Sequence, residues 1–224
     1  MATAQKKTAG IFITLEGGEG SGKTTQAPRL CRLLAAQGYE VLHTREPGGT
    51  PVAERLRSVL LDSSAEVIAP ETEALLILAA RRQHVDHVIK PALKRGKIVV
   101  CDRFSDSTMA YQGYARRLDL KLLRAMNEWA TGKLVPHLTL LFDIPAASGL
   151  RRRQGLATTQ NRLDREAERF HKKVRAGFLQ LARREPRRIK VLDARQPPDL
   201  VAATMETLVL DWLRTSRARD RGRR

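Results

Sequence analysis

Aromatic side chains make up only 4% of this 224-residue chain, and cysteine occurs just twice. Cys31 and Cys101 both lie in apolar segments, which excludes a disulfide-stapled scaffold and points to a reduced, cytoplasmic setting. No run approaches the roughly 18 apolar residues of a membrane span, so no membrane partner is expected. Residues 1–10 contain no apolar signal core. Acidic residues are also in deficit: 24 Asp and Glu stand against 41 Lys and Arg, leaving a formal net charge of +17. Much of that charge sits in 151–153, 183–188 and 214–224. The chain has no helix-turn-helix, no zinc-ligand spacing and no RNA-binding aromatic motif, so no specific nucleic-acid partner is expected. The excess reads instead as a basic surface around an anionic substrate, followed by a solvated tail.

What is present is organised as one domain. Apolar, β-rich runs at 11–16, 41–44, 98–101, 138–142 and 189–192 alternate with helical stretches. That alternation predicts an α/β fold: a five-stranded parallel sheet with helices on both faces. The domain is expected to span 11–213, between a flexible N-terminus (1–10) and a basic, disordered tail (214–224). Polar residues 154–161, flanked by arginines, read as a mobile lid within about 150–162.

The strongest signal is Gly17-Gly18-Glu19-Gly20-Ser21-Gly22-Lys23-Thr24, which matches G-x-x-x-x-G-K-[ST] directly after the first run. Strand, Gly-rich turn and helix together predict a phosphate-binding loop. Its N–H groups and the helix N-terminus cradle an anion. Lys23 reaches the β/γ-phosphates, the Thr24 hydroxyl ligates Mg²⁺, and Thr25 continues the ATP-binding segment. Asp102, at the end of the third run, is placed to hold Mg²⁺ or its waters, and Arg103 to fork onto phosphate oxygens. Asp143, at the fourth, reads as structural. Arg45, in the corner Thr44-Arg45-Glu46-Pro47-Gly48-Gly49-Thr50, either contacts an acceptor phosphate or belongs to a plain turn. The loop positions between Gly17 and Gly22 hold no basic residue. Positive charge on a transferring phosphoryl group must then come from elsewhere, and Arg151, Arg152, Arg153 and Arg162 bracket the lid.

These segments resemble the bacterial thymidylate kinase family, of P-loop nucleoside monophosphate kinases. The resemblance rests on Leu15-Glu16 leading into the loop, on the corner at 44–50, on Asp102-Arg103-Phe104 and on Ala110-Tyr111-Gln112-Gly113. Gln83-His84-Val85 and Phe170-His171-Lys172 extend it, in family order, from about residue 11 to 213. It implies a three-layer P-loop kinase fold, a homodimer, and transfer of the ATP γ-phosphate to dTMP with Mg²⁺, giving dTDP for dTTP synthesis. It implies that Glu19 approaches the nucleoside sugar and that Asp102 and Arg103 serve metal and phosphates. Arg45, Pro47, Ile77 and Arg81 then belong to the acceptor site, and Thr108, Tyr111 and Gln112 to the wall facing the pyrimidine. Lys23, Arg103, Arg153 and Arg162 are the implied catalytic set, with Arg162 as the lid arginine. Three departures stand out, one being that the Arg-rich tail at 214–224 has no family counterpart. Ile77 replaces the usual Phe, leaving an aliphatic wall against the base, and Asn161-Arg162-Leu163-Asp164 alters the usual lid end. Ile77 keeps open an acceptor such as dUMP, and the net charge keeps open a nucleic-acid-stimulated ATPase.

Overall fold

A computed structural model describes residues 10–62, 66–156 and 162–221. Five parallel strands form one sheet in the order β2-β3-β1-β4-β5. They are β1 (Ile11–Glu16), β2 (Val41–Arg45), β3 (Ile98–Asp102), β4 (Leu138–Asp143) and β5 (Ile189–Asp193). All five apolar runs become strands. The last four each gain one charged residue at the carboxyl end, where the chain leaves the core: Arg45, Asp102, Asp143 and Asp193.

The helices are α1 (Lys23–Ala36), α2 (Pro51–Leu61), α3 (Pro70–His84), α4 (Lys90–Lys94), α5 (Ser105–Thr108), α6 (Leu120–Thr131), α7 (Ala146–Leu156), α8 (Glu168–Arg184) and α9 (Pro198–Arg221). Their starts follow local chemistry. Thr50 caps α2 by accepting from the Ala53 N–H, with Pro51 in the first turn, and Asp119 caps α6 through the Leu122 N–H. A π-helical stretch, Val85–Ile89, precedes Pro91, whose ring and missing N–H disfavour a regular α-turn.

Both faces of the sheet are covered. Ile13 and Leu15 of β1 pack with Leu30 and Leu34 of α1 and Met205 and Val209 of α9. Phe12, the residue before Ile13, points the other way, towards Val85, Ile89 and Phe104. This period-two alternation puts about 2 kcal/mol of hydrophobic burial on each large side chain. The register aligns Leu15 with Asp102 on one side and Leu140 on the other, and Arg45 also pairs with Asp102. The first residues of the phosphate loop, Arg45 and Asp102 therefore share the carboxyl edge, where open α/β sheets bind ligands.

Two boundaries differ from the sequence reading. Gln154, Gly155 and Leu156 are helical, the last turn of α7, although they were expected in a loop; the rest of that segment, 157–161, lies outside the described residues. One Gly near a helix end costs only about 1 kcal/mol, too little to stop it. The expected disordered tail from Arg214 is instead helix as far as Arg221. No Gly or Pro interrupts the sequence from Asp199 to Arg221. Asp211 also supports that turn, pairing with Arg214 at 3.3 Å and offering its carbonyl to the Thr215 hydroxyl at 2.8 Å. Residues 1–9 and 222–224 lie outside the described residues.

Candidate active site

Between β1 and α1 the chain turns sharply, and two glycines make the turn possible. Gly17 has φ +145°, and a Cβ there would meet the Phe142 carbonyl oxygen at 2.5 Å; Gly20 has φ +64° and packs against the Gly149 backbone. The loop curls around Lys23, whose Nζ donates to Gly17 O (3.0 Å), Gly18 O (2.9 Å) and Ser21 Oγ (3.1 Å). Burial, helped by nearby Arg103, lowers the Lys23 pKa to about 8. An anion arriving in the loop reverses that effect.

The β3 edge supplies the second group. Arg103 adopts φ +69°, a left-handed conformation costly for a residue with a Cβ. Neighbouring contacts hold it there. Buried Glu16 accepts from Phe104 N (2.8 Å), Ser107 N (3.3 Å) and Ser107 Oγ (2.6 Å). Burial, together with Asp106, pushes the Glu16 pKa up to about 7. So held, Arg103 donates to Gly17 O at 3.0 Å and to Glu19 Oε1 at 2.8 Å, and lies 5.1 Å from the Tyr111 ring centroid. The Tyr111 hydroxyl donates to the same Glu19 oxygen, also at 2.8 Å. Beside them, Asp102 Oδ1 is buried without a hydrogen-bond partner. Such an orphaned carboxylate oxygen is expected to meet a cation or an ordered water.

Arg81, from α3, forms the far wall and is only 2% exposed. Its Nε donates to Glu46 Oε2 (2.7 Å), and its Nη1 to Thr108 Oγ1 (2.8 Å) and Asn127 Oδ1 (2.6 Å). Glu46 Oε1 in turn lies 3.0 Å from His84 Nδ1. Thr108 ends α5, and a π-helical stretch, Met109–Ala115, carries Tyr111 and Gln112 onto the same wall. The wider turn of a π-helix is a common device for aiming side chains at a site.

One cavity of about 1210 Å³ connects these parts. The phosphate loop from Glu19 through Thr25 lines one region, Arg45, Pro47, Ile77, Arg81, Thr108, Tyr111 and Gln112 another, and Asp102 and Arg103 also line it. Gly17 and Gly18 are absent from the lining and contribute carbonyls to Lys23 instead. Arg151, Arg152 and Arg153 of α7 line the cavity as well. Arg152 donates to Ala194 O (2.7 Å) and Arg195 O (3.2 Å), tying α7 to the loop after β5.

A family model described as thymidylate kinase matches residues 15–205. The chain belongs to the thymidylate kinase family. It is 50% identical over 213 residues to a thymidylate kinase of Syntrophotalea carbinolica, covering 93% of this chain and 96% of that protein. It is 49% identical over 202 residues to one of Pseudomonas putida, covering 89% and 96%. Among solved structures it resembles the crystal structure of thymidylate kinase from Ehrlichia chaffeensis, with a TM-score of 0.73 and 33% identity over 90% of this chain and 99% of that one. Members of this family are phosphotransferases, and the five-stranded parallel sheet is consistent with a P-loop kinase fold.

Among the residues expected to serve this thymidylate kinase site, Arg162 is placed elsewhere. Its Nη2 is bound to Glu73, its Nε donates to Leu60 O at 3.1 Å, and it is not part of the cavity lining, whereas its neighbour Leu163 is. In the turn that begins at Arg162, the buried Glu73 carboxylate captures the arginine. Arg153 does line the cavity, braced by Asp164 at 3.1 Å. Asp143 is structural as expected, forming a two-bond pair with Arg175 at 2.7 and 2.9 Å.

The sequence reading did not select Arg57, Glu46, Glu73 or Asn127. Arg57 lines the cavity near Arg45 and donates to Pro47 O at 2.9 Å. The only sequence signal was its place on the helix following the 44–50 corner, and a lone helix arginine usually marks a solvated face.

Proposed function

We propose that this member of the thymidylate kinase family transfers the γ-phosphoryl group of ATP to dTMP, giving dTDP, with Mg²⁺. The observation that carries this reading is the single cavity shared by the phosphate loop and the Arg81–Gln112 wall. At about 1210 Å³ it exceeds the ~300–1,000 Å³ of a one-ligand pocket. Two nucleotides facing each other account for that size.

In this reading the loop N–H groups and Lys23 bind the β- and γ-phosphates of ATP. The adenine lies between α7 and the loop Ala194-Arg195-Gln196-Pro197, all of which line the cavity. The acceptor phosphate meets Arg45 and Arg57, its sugar packs beside Tyr111 and Glu19, and its base faces Arg81, Thr108, Gln112 and Ile77. Arg103 and the α7 arginines, Arg153 above all, stabilise charge on the phosphoryl group as a dTMP phosphate oxygen attacks in line. The orphaned Asp102 Oδ1 and the exposed Thr24 hydroxyl fit a hard cation held mainly through substrate phosphates. Among the described residues no cluster of three or more His, Cys, Asp or Glu is suited to a metal, as this mode of binding requires none. Mg²⁺ there neutralises charge on the phosphates and fixes their geometry.

A homodimer through the outer faces of α3 and α6 belongs to the same reading. Leu75, Leu122 and Trp129 are 55%, 60% and 77% exposed on these packed helices. Unpaired Cys31 and Cys101 suit a reducing cytoplasm, and no helix among the described residues is long and apolar enough to cross a membrane.

The test is an acceptor panel: ADP release with dTMP, dUMP, dCMP, thymidine or no acceptor, each with and without Mg²⁺. Release that needs both dTMP and Mg²⁺ supports the reading. Acceptor-independent release that rises with added DNA or RNA would replace it with a nucleic-acid-stimulated ATPase.

A further inference from the structure

Glu73 lies in the first turn of α3, where a negative charge suits the helix N-terminus, yet it is fully buried. It does not itself line the cavity, which it reaches only through Gln112. Its Oε1 accepts from Gln112 Nε2 (2.7 Å) and Arg116 Nε (3.3 Å), and its Oε2 from Arg116 Nη2 (3.2 Å) and Arg162 Nη2. Burial works to raise its pKa, but the hydrogen bonds from Arg116, Gln112 and Arg162 outweigh that and hold it below the usual carboxylate range. The group is an anion that can only accept.

That constraint fixes Gln112. A side-chain amide carries donors on nitrogen and acceptors on oxygen, and two acceptors cannot face each other. With Nε2 turned to Glu73, Oε1 points away from it, and that oxygen is buried without a partner although Gln112 lines the cavity. Across the same wall stands Arg81, which presents only donors and is bound to Thr108, one helical turn before Gln112. The wall therefore offers a donor and an acceptor together.

We propose that Glu73 sets the base selectivity of the acceptor site, by locking Gln112 in the one amide orientation that presents an acceptor oxygen. The pocket then takes a pyrimidine with a ring N–H beside a carbonyl, the pattern shared by thymine and uracil. It refuses cytosine, whose ring nitrogen accepts and whose exocyclic amine donates. This inference rests on the proposed acceptor site and adds a positioning residue that meets no substrate atom. Sites built on a hydrogen bond to the substrate reject analogues lacking it by as much as ~10⁴–10⁵-fold, so fixing the amide has a large effect to control.

The test compares kcat/KM for dTMP and dCMP in the wild type, in Glu73→Gln and in the exchange Glu73→Gln/Gln112→Glu. A neutral glutamine at 73 can donate or accept, which frees Gln112 to turn over. Glu73→Gln is expected to reduce the dTMP:dCMP ratio at least about tenfold, chiefly through a higher KM for dTMP. The exchange keeps the buried charge and again aims an acceptor at the base, so it restores the preference. Should Glu73→Gln lose its cooperative thermal transition, Glu73→Asp serves instead. It keeps the charge for Arg116 and Arg162 but withdraws it from Gln112, with a drop of about threefold expected. A folded variant in which both acceptors suffer equally, leaving the ratio unchanged, overturns the inference. A wild type that does not turn over dTMP overturns the underlying reading of the site instead.

Discussion

Arg103 and Glu19 face each other at 2.8 Å, joining the end of β3 to the phosphate loop, and Tyr111 donates to the same carboxylate oxygen. Burial alone would raise the Glu19 pKa, but Arg103 and then Lys23 bring it down to about 2. A carboxyl depressed in the folded state stabilises above its unfolded value, near 4.5, and that stability is lost as pH falls towards 2. Glu19→Gln should therefore lose less Tm than the wild type between pH 6 and pH 3, as read by thermal unfolding at each pH. Equal losses would show that the pair contributes nothing to acid stability.

Lys23 makes a separate pH prediction. The free enzyme needs the charged amine to receive phosphates, and its pKa of about 8 puts the loss of that charge just above neutrality. A single group titrating there weakens ATP binding about tenfold between pH 7 and pH 9. Calorimetric titration of ATP across that range measures it, and a flat Kd contradicts the assignment.

Arg153 and Arg162 should separate. Arg153 lines the cavity, so Arg153→Ala is expected to lower kcat by about 10²-fold or more, beyond any stability lost with its pair to buried Asp164. Arg162 is engaged with Glu73 and Leu60, so Arg162→Ala should cost about 1–3 kcal/mol of stability while kcat falls less than about tenfold. Steady-state kinetics and denaturant unfolding on both variants decide it; the opposite pattern would return Arg162 to the chemistry.

Ile77 offers a gain-of-function test. It lines the cavity as an aliphatic wall, and an aromatic ring against a base contributes about 0.5–1.5 kcal/mol beyond its area. Ile77→Phe should lower the KM for dTMP by about 2–10-fold. An increase would mean that the wall has no room for a ring.

The sequence exposed those parts of the molecule whose chemistry is local. The phosphate loop is a backbone device written in consecutive glycines, and β1 to β5 are apolar runs bounded by charge. Glu73 and Glu46 stayed hidden because a carboxylate in a helix or a turn ordinarily reads as solvated. Only the three-dimensional fold brings Arg116 and Arg162 to the first, and Arg81 and His84 to the second. Arg162 shows the same limit from the other side. Its place at the end of the polar segment 154–161 was legible, but its direction depended on a buried anion 89 positions away in sequence. The helical extension to Arg221 was missed because a run of arginines reads as solvated charge, although no Gly or Pro breaks the helix after Pro198.

The most direct measurement follows labelled γ-phosphate from ATP in the presence of Mg²⁺, with and without dTMP. The account predicts one dTDP for each ADP, the label on its terminal phosphate, and almost no ADP when dTMP is left out. Label released as inorganic phosphate at the same rate whether or not dTMP is present would contradict it.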